Sequence, residues 1–303
     1  MPTAPESIDE VHRAIGELAA EGAAVPLAAF GRVNARAGSL VGAAATENEG
    51  RRANSDAILL RELACGEERG LLLGVMTGNY KDMGTAVASS LAAIALAAAF
   101  AEPLLSEADV VPALRRAAIH AHDGIYRLAT MPLGDFRFET VMGARDSLRG
   151  IGTSLTAVAV LRHRVFGVHC GDGKAFLYRD GKLRKLALEH TLDHAPGFRQ
   201  WAQRPEMIQP ELIVMNVLGM STDPPKVDVF RTDLQSGDRL VVGGMGVLDR
   251  QVAPILASPD AAPAGSYRQL GSAPAATTSA LVAALEEEHG PWFPISVGVI
   301  DVD

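Results

Sequence analysis

Apolar positions in this chain follow two periodicities, and their order sketches an architecture. Residues 8–22 place Ile8, Val11, Ile15 and Leu18 on one helical face, which predicts an amphipathic helix. Short apolar runs at 40–45, 57–63 and 71–76 predict strands, with Gly66-Glu67-Glu68 turning between the last two. Two helices are expected at 85–100 and 107–128. Ser106 stands where the second needs an N-cap, and Pro112 falls early in it. Residues 131–150 have mixed composition and read as a loop. Strands then follow at 153–161, 165–169, 175–179 and 183–186, and Asp180-Gly181 supplies a two-residue hairpin turn. A polar, proline-punctuated stretch at 190–225 contains a short helical pattern at 197–203. Strands at 227–231 and 239–242, a loop-like 252–276, a helix at 278–288 and a strand at 295–302 complete the chain. Strands grouped around a helical pair predict an α+β fold with mainly antiparallel sheets.

Composition narrows the picture. The 303 residues are 48% hydrophobic but only 5% aromatic, so the core must be built from Ala, Val, Leu and Ile. That apolar content excludes a disordered chain. The net charge of −8 argues against nucleic-acid binding, which needs clustered positive charge. Cys65 and Cys170 are far apart with no CxxC, and are expected as buried small hydrophobes. The N-terminus lacks a basic region followed by an apolar run, so no secretory signal is expected and the location is expected to be cytoplasmic. The most apolar stretch, 86–105, is alanine-rich and runs into Glu102-Pro103. It is expected as a core helix and not as a membrane span.

Common catalytic motifs fail. Residues 74–84 form neither a P-loop nor a dinucleotide fingerprint. Gly150-Ile151-Gly152-Thr153-Ser154 lacks a third glycine, and there is no GxSxG. His120 and His122 are two apart on a predicted helix, so they diverge and are expected on a solvated face. Acids at strand ends are more informative: Asp56 opens one strand, Asp172 sits in a Gly-Asp-Gly turn, and Asp249 follows another apolar run. Carboxylates at strand ends can converge on a hard cation, and each can equally cap its own turn.

Taken together, the segments resemble the type 2C (PPM) family of metal-dependent Ser/Thr protein phosphatases. Residues 152–192 look like that family's run of G-T-T-L, V-G-D-S-R-A-Y-L, R-D-G and D-H-S. GRRANSD at 50–56 is similar to G-R-x-R-x-N-E-D, and TGNYKDMGTAVAS at 77–89 aligns without a gap on D-G-x-G-G-H-x-x-G-x-x-A-S. LQSGDRL at 234–240 and GMGVLD at 244–249 sit where L-x-x-G-D-x-L and S-D-G-L-x-D belong. The resemblance implies a four-layer αββα sandwich of two mainly antiparallel sheets over 38–303. It leaves 1–37 as an N-terminal helical extension and makes 190–225 a flap-like segment. It also implies two Mn²⁺ or Mg²⁺ ions between the sheets and a metal-activated water as nucleophile.

The departures fall on the chemistry. By the resemblance, Thr77 replaces the metal-bridging aspartate, Ser55 an acid, Met245 and Phe293 two ligand aspartates, and Asp82 a histidine proposed as general acid. Asp56, Gly78, Asp172 and Asp249 remain as residual metal-site candidates, and Arg51 as a phosphate contact. Glu47, Glu49 and Asp82 are the acids that could relocate a site. The expectation is therefore a pseudophosphatase without cofactor, acting by binding or regulation in phospho-signalling. Its partner would be a protein, either a phosphoprotein or a kinase, with neither nucleic acid nor membrane involved. The alternative is an active Mn- or Mg-dependent Ser/Thr phosphatase with relocated ligands. Phe198, Trp201, Met207 and Ile208 are candidates for a docking surface, and the N-terminal helix is a candidate for dimerisation.

Overall fold

Alternation along each strand decides which layer a side chain enters, because neighbouring residues point to opposite faces. The computed structural model describes residues 31–47, 55–79, 83–131, 138–140, 143–145, 148–196, 213–247, 249–257, 273–289 and 295–302. One sheet has six strands in the order β1 (Gly31–Ala37), β2 (Leu40–Glu47), β13 (Ile295–Val302), β12 (Arg239–Gly243), β9 (Lys174–Arg179) and β10 (Lys182–Lys185). The second has five, in the order β11 (Asp228–Asp233), β8 (Arg164–Cys170), β7 (Thr153–Leu161), β4 (Glu68–Gly78) and β3 (Asp56–Cys65). Every named pairing in both sheets is antiparallel.

The two sheets pack face to face over one apolar layer. Ile58 and Leu60 of β3, Leu71, Leu73 and Val75 of β4, and Val158 and Val160 of β7 meet Ala44, Leu177, Leu240, Val242 and Ile300 of the other sheet. The opposite face of the five-stranded sheet is covered by α1 (Met83–Ala99) and α2 (Val110–Thr130). Ala88, Ala92, Ala93 and Ala97 of α1 are buried there, their small side chains standing in for the missing aromatics. The outer face of the six-stranded sheet is covered by α3 (Asp249–Ala257) and α4 (Ala273–His289), through Val252, Leu256, Leu281 and Leu285. The result is the αββα sandwich that the family resemblance implied.

Several expectations change. Residues 31–37, assigned to the N-terminal extension, form β1 and pair with β2 over seven residues. The proposed helix at 8–22 lies outside the described residues. The supposed loop at 131–150 contains β5 (Phe138–Thr140) and β6 (Gly143–Arg145), too short to carry a periodicity. The loop-like 252–276 contains most of α3, where Pro254 hid the helical pattern, and the start of α4. Ser106 opens a 3₁₀ turn at Glu107–Asp109, its amide and hydroxyl both donating to Asp109 Oδ2 at 3.0 and 2.9 Å, and α2 continues from it. His122 is buried, not solvated, and its Nδ1 accepts from the Gly219 amide at 3.1 Å, while His120 is exposed. The Asp180-Gly181 hairpin forms as expected, both residues adopting positive φ (51° and 74°) as a type I′ turn demands. Among the described residues no helix is long and apolar enough to cross a membrane, and 86–105 supplies much of α1.

Candidate functional site

The inter-sheet layer changes character at one end. The apolar column of β3 (Leu60, Ile58) ends at Asp56, that of β4 (Leu71, Leu73, Val75) at Thr77, and that of β7 (Val160, Val158) at Thr156 and Ser154. In the facing sheet, Leu40 and Ala44 lead to Thr46, Ile300 to Ser296, and Leu240 and Val242 to Gly244. The period of two that builds the core thus delivers hydroxyls and one carboxylate to a single buried place.

Asp56 and Thr77 are direct cross-strand partners, so their side chains share the inter-sheet face. Ser154 is the next partner across, opposite Thr77. Ser296 Oγ donates to Asp56 Oδ2 at 2.8 Å and lies 2.7 Å from Thr46 Oγ1. The Thr77 carbonyl accepts from Thr153 Oγ1 at 3.0 Å and Ser154 Oγ at 3.3 Å. The Thr77 hydroxyl has no hydrogen-bond partner among the described residues although it is 4% exposed. Gly244 closes this pocket: a Cβ there would come 2.5 Å from Thr77 Oγ1 and 3.5 Å from Asp56 Oδ2.

Burial pushes the Asp56 carboxyl from 3.8 up to about 8; the Ser296 hydroxyl opposes the shift and the charge of Asp172 adds to it. Asp56 is therefore mostly protonated at neutral pH. Burial also raises Asp172, countered by a hydrogen bond from Ser154 and by the charge of Lys174. Lys174 bridges onward to Glu189 Oε1 at 3.1 Å, and Lys185 grips the same carboxylate at 2.8 and 3.1 Å. Burial would raise Glu189, yet the two lysines outweigh it and hold it at about 2. Behind the Asp172 turn, His169 is pushed down to about 4 by burial, its ring nitrogens lying 2.9 Å from Thr156 Oγ1 and 3.0 Å from the Gly171 carbonyl.

Of the residues singled out from sequence, Ser55, Asp56, Thr77, Gly78 and Asp172 meet at this end of the sandwich. Met245 follows Gly244 in a turn closed by Val247 N donating to the Gly244 carbonyl at 3.1 Å. Asp249 opens α3, and Glu47 closes β2 opposite Ile295. Arg51, Asp82, Phe293, Glu49, Phe198, Trp201, Met207 and Ile208 lie outside the described residues. Sequence reading missed Thr46, Ser154, Ser296 and Asn79. Asn79 pins the end of β4 to the 150–152 turn, accepting from the Gly152 amide at 2.9 Å and donating to the Gly150 carbonyl at 3.3 Å. The available signal was a hydroxyl residue closing an otherwise apolar inward column, legible only once the inward parity of each strand is known.

Hard divalent cations need several anionic oxygens. Among the described residues, the oxygens gathered at this end are the carboxyls of Asp56 and Asp172, neutral hydroxyls and the backbone of Gly78. No group of three or more His, Cys, Asp or Glu side chains suited to a metal occurs among them.

No family model matches the chain. It is similar to the serine/threonine protein phosphatase PstP of Mycobacterium tuberculosis, 26% identical over 193 residues, 58% of this chain. That match spans 36% of the length of the curated relative. Among solved structures, a serine/threonine phosphatase of S. agalactiae superposes with a TM-score of 0.67 at 19% identity, covering 87% of this chain and all of the other. The catalytic domain of PstP in complex with two manganese ions superposes with a TM-score of 0.55 at 23% identity, covering 87% and 99%. The chain thus has the fold of the PPM-type Ser/Thr phosphatases.

Proposed function

We propose that this chain, built on the PPM phosphatase fold, is a pseudophosphatase that acts by binding or regulation in phospho-signalling. The observation carrying this reading is the Asp56–Thr77 pair. Where the resemblance asks for a bridging carboxylate, a neutral hydroxyl faces a carboxyl that burial holds mostly protonated. A threonine hydroxyl cannot supply a bridging anion, and two bound cations would face too little negative charge to offset their desolvation. The partner fitting this reading is a protein carrying phosphorylated Ser or Thr, or the kinase that phosphorylates it.

One observation supports the second reading, an active Mn- or Mg-dependent Ser/Thr phosphatase with relocated ligands. Asp56 and Asp172 lie close enough for the charge of one to raise the other, so two carboxylates still converge. The two readings part in a calorimetric Mn²⁺ titration run beside a para-nitrophenyl phosphate assay in excess Mn²⁺. The pseudophosphatase shows neither saturable heat nor turnover. Micromolar binding with turnover that falls on Asp172→Asn would overturn it in favour of the second reading.

A further inference from the structure

Two methionines stand exposed on the arm at 213–220: Met215 at 56% and Met220 at 45%. Their sulfurs differ in one respect. Asn79 Nδ2 donates to the Met220 thioether at 2.9 Å, while the Met215 side chain has no such contact among the described residues.

The donor on the Met220 sulfur is fixed by the rest of the Asn79 amide. Asn79 Oδ1 accepts from the Gly152 amide at 2.9 Å, and Nδ2 donates to the Gly150 carbonyl at 3.3 Å. Flipping the amide would set oxygen against oxygen at Gly150 and N–H against N–H at Gly152. Of the two Nδ2 hydrogens, one therefore serves Gly150 and the other the sulfur.

The sulfur is also held in place. Thr153 and Leu218 exchange both backbone hydrogen bonds, at 3.2 and 3.0 Å, and the Gly219 amide donates to His122 Nδ1 at 3.1 Å. Gly219 turns the chain at a φ of 87°, delivering Met220 to the 150–152 turn. The Met220 stem lies across Gly152, where a Cβ would come 2.8 Å from Met220 Cγ. A thioether sulfur has two lone pairs, and oxygen added to one or the other gives opposite sulfoxide epimers. At Met220 the Asn79 amide occupies one lone pair, and the exposure of the residue leaves the other to solvent.

We propose that Met220 is a site of oxidation by hydroperoxides, and that Asn79 directs the oxygen to the solvent-facing lone pair so that one sulfoxide epimer forms. The free lone pair attacks the outer peroxide oxygen. The O–O bond breaks as the S–O bond forms, and the departing oxygen takes the proton of the transferred one and leaves as water or an alcohol. Sulfur is oxidised by two electrons and the peroxide reduced by the same two. A sulfoxide sulfur carries partial positive charge, so the Asn79 N–H loses this acceptor. The other two Asn79 bonds remain and keep the end of β4, two residues beyond Thr77, on the 150–152 turn. Oxidation thus frees the Met220 side chain beside the Asp56 pocket without undoing the strand that carries Thr77. Because reductases act on one epimer each, a single class of reductase erases the mark.

The test is oxidation of the intact chain with hydrogen peroxide, once folded and once in denaturing urea. Each sample is then proteolysed, split, and treated to completion with one or the other epimer-specific methionine sulfoxide reductase, and the peptides are quantified by mass spectrometry. In the folded chain the Met220 epimers should differ by at least about ten to one, while those of Met215 are near equal. In urea, where Asn79 no longer faces the sulfur, the Met220 epimers should also become near equal, which needs no variant to fold. Asn79→Ala should bring the folded ratio towards one. In NMR spectra of the folded chain, oxidation should move the Asn79 side-chain N–H resonances. Near-equal Met220 epimers in the folded chain would overturn the proposal, as would the same skew in urea or in Asn79→Ala. So would a Met220 that stays reduced under conditions that oxidise Met215.

Discussion

Thr77→Asp is the sharpest probe of the buried polar end. The substitution sets a second carboxylate directly across the strand from Asp56, on the same inter-sheet face. Paired Cα atoms stand about 5 Å apart in an antiparallel ladder. At an effective dielectric of about 20, two unit charges at that separation would repel by about 3 kcal/mol, an upper bound because Asp56 holds its proton for most of the time at neutral pH. A shared proton would lower this, at the cost of raising one carboxyl further. The variant should therefore unfold several degrees below wild type at neutral pH, roughly 2–4 °C for each kcal/mol. It should also respond to metal. A divalent cation held by the two carboxylates and the Gly78 carbonyl would neutralise the repulsion. At a free concentration about 100-fold above Kd it returns about 2.7 kcal/mol, close to the whole loss. The assay is thermal unfolding by circular dichroism with and without Mn²⁺, wild type beside variant. Wild type should be indifferent to Mn²⁺ and the variant rescued by it. The reasoning fails if the variant is as stable as wild type without metal, or if Mn²⁺ stabilises both equally.

The raised Asp56 carboxyl makes stability fall as pH rises. The native state holds a proton that the unfolded chain releases above 3.8, so stability drops from there to about 8 and then levels. Asp56→Asn should flatten that window in urea titrations and stabilise the chain by at most about 4 kcal/mol near pH 7; an unchanged slope would count against it. Gly244→Ala places a methyl 2.5 Å from Thr77 Oγ1, and should cost about 1–3 kcal/mol of stability, which adding Thr77→Ala partly restores in a double-mutant cycle. Leu73→Ala opens a cavity in the inter-sheet core, where Leu73 is wholly buried, and should cost about 2–5 kcal/mol in a chemical denaturation.

How much of this was legible in advance depends on whether the cause is local. The strands at 153–161 and 295–302 coincide with β7 and β13, because both are long, β-branched runs bounded by clear turns. Asp180-Gly181 announced its hairpin because only a few dipeptides accept two positive φ angles in succession. β1 went unread: its sequence, GRVNARA, has little apolar content, and its strand state comes from pairing with β2. α3 was hidden by Pro254, and His122 by assuming that a histidine on a helix faces solvent.

By itself, the sequence determined an α+β class with mainly antiparallel sheets and alanine-rich helices, and its resemblance to the type 2C family implied the αββα layering and the acids that Thr77 and Ser55 replace. These are matters of composition, period and order along the chain, each written within a few residues. Tertiary structure decided that Asp56, Thr77, Ser154 and Ser296, up to 240 residues apart, close one buried pocket. It also decided that burial there pushes the Asp56 carboxyl up. Those facts depend on which strand ends face each other and on how completely water is shut out between them, and no local pattern in the chain encodes either.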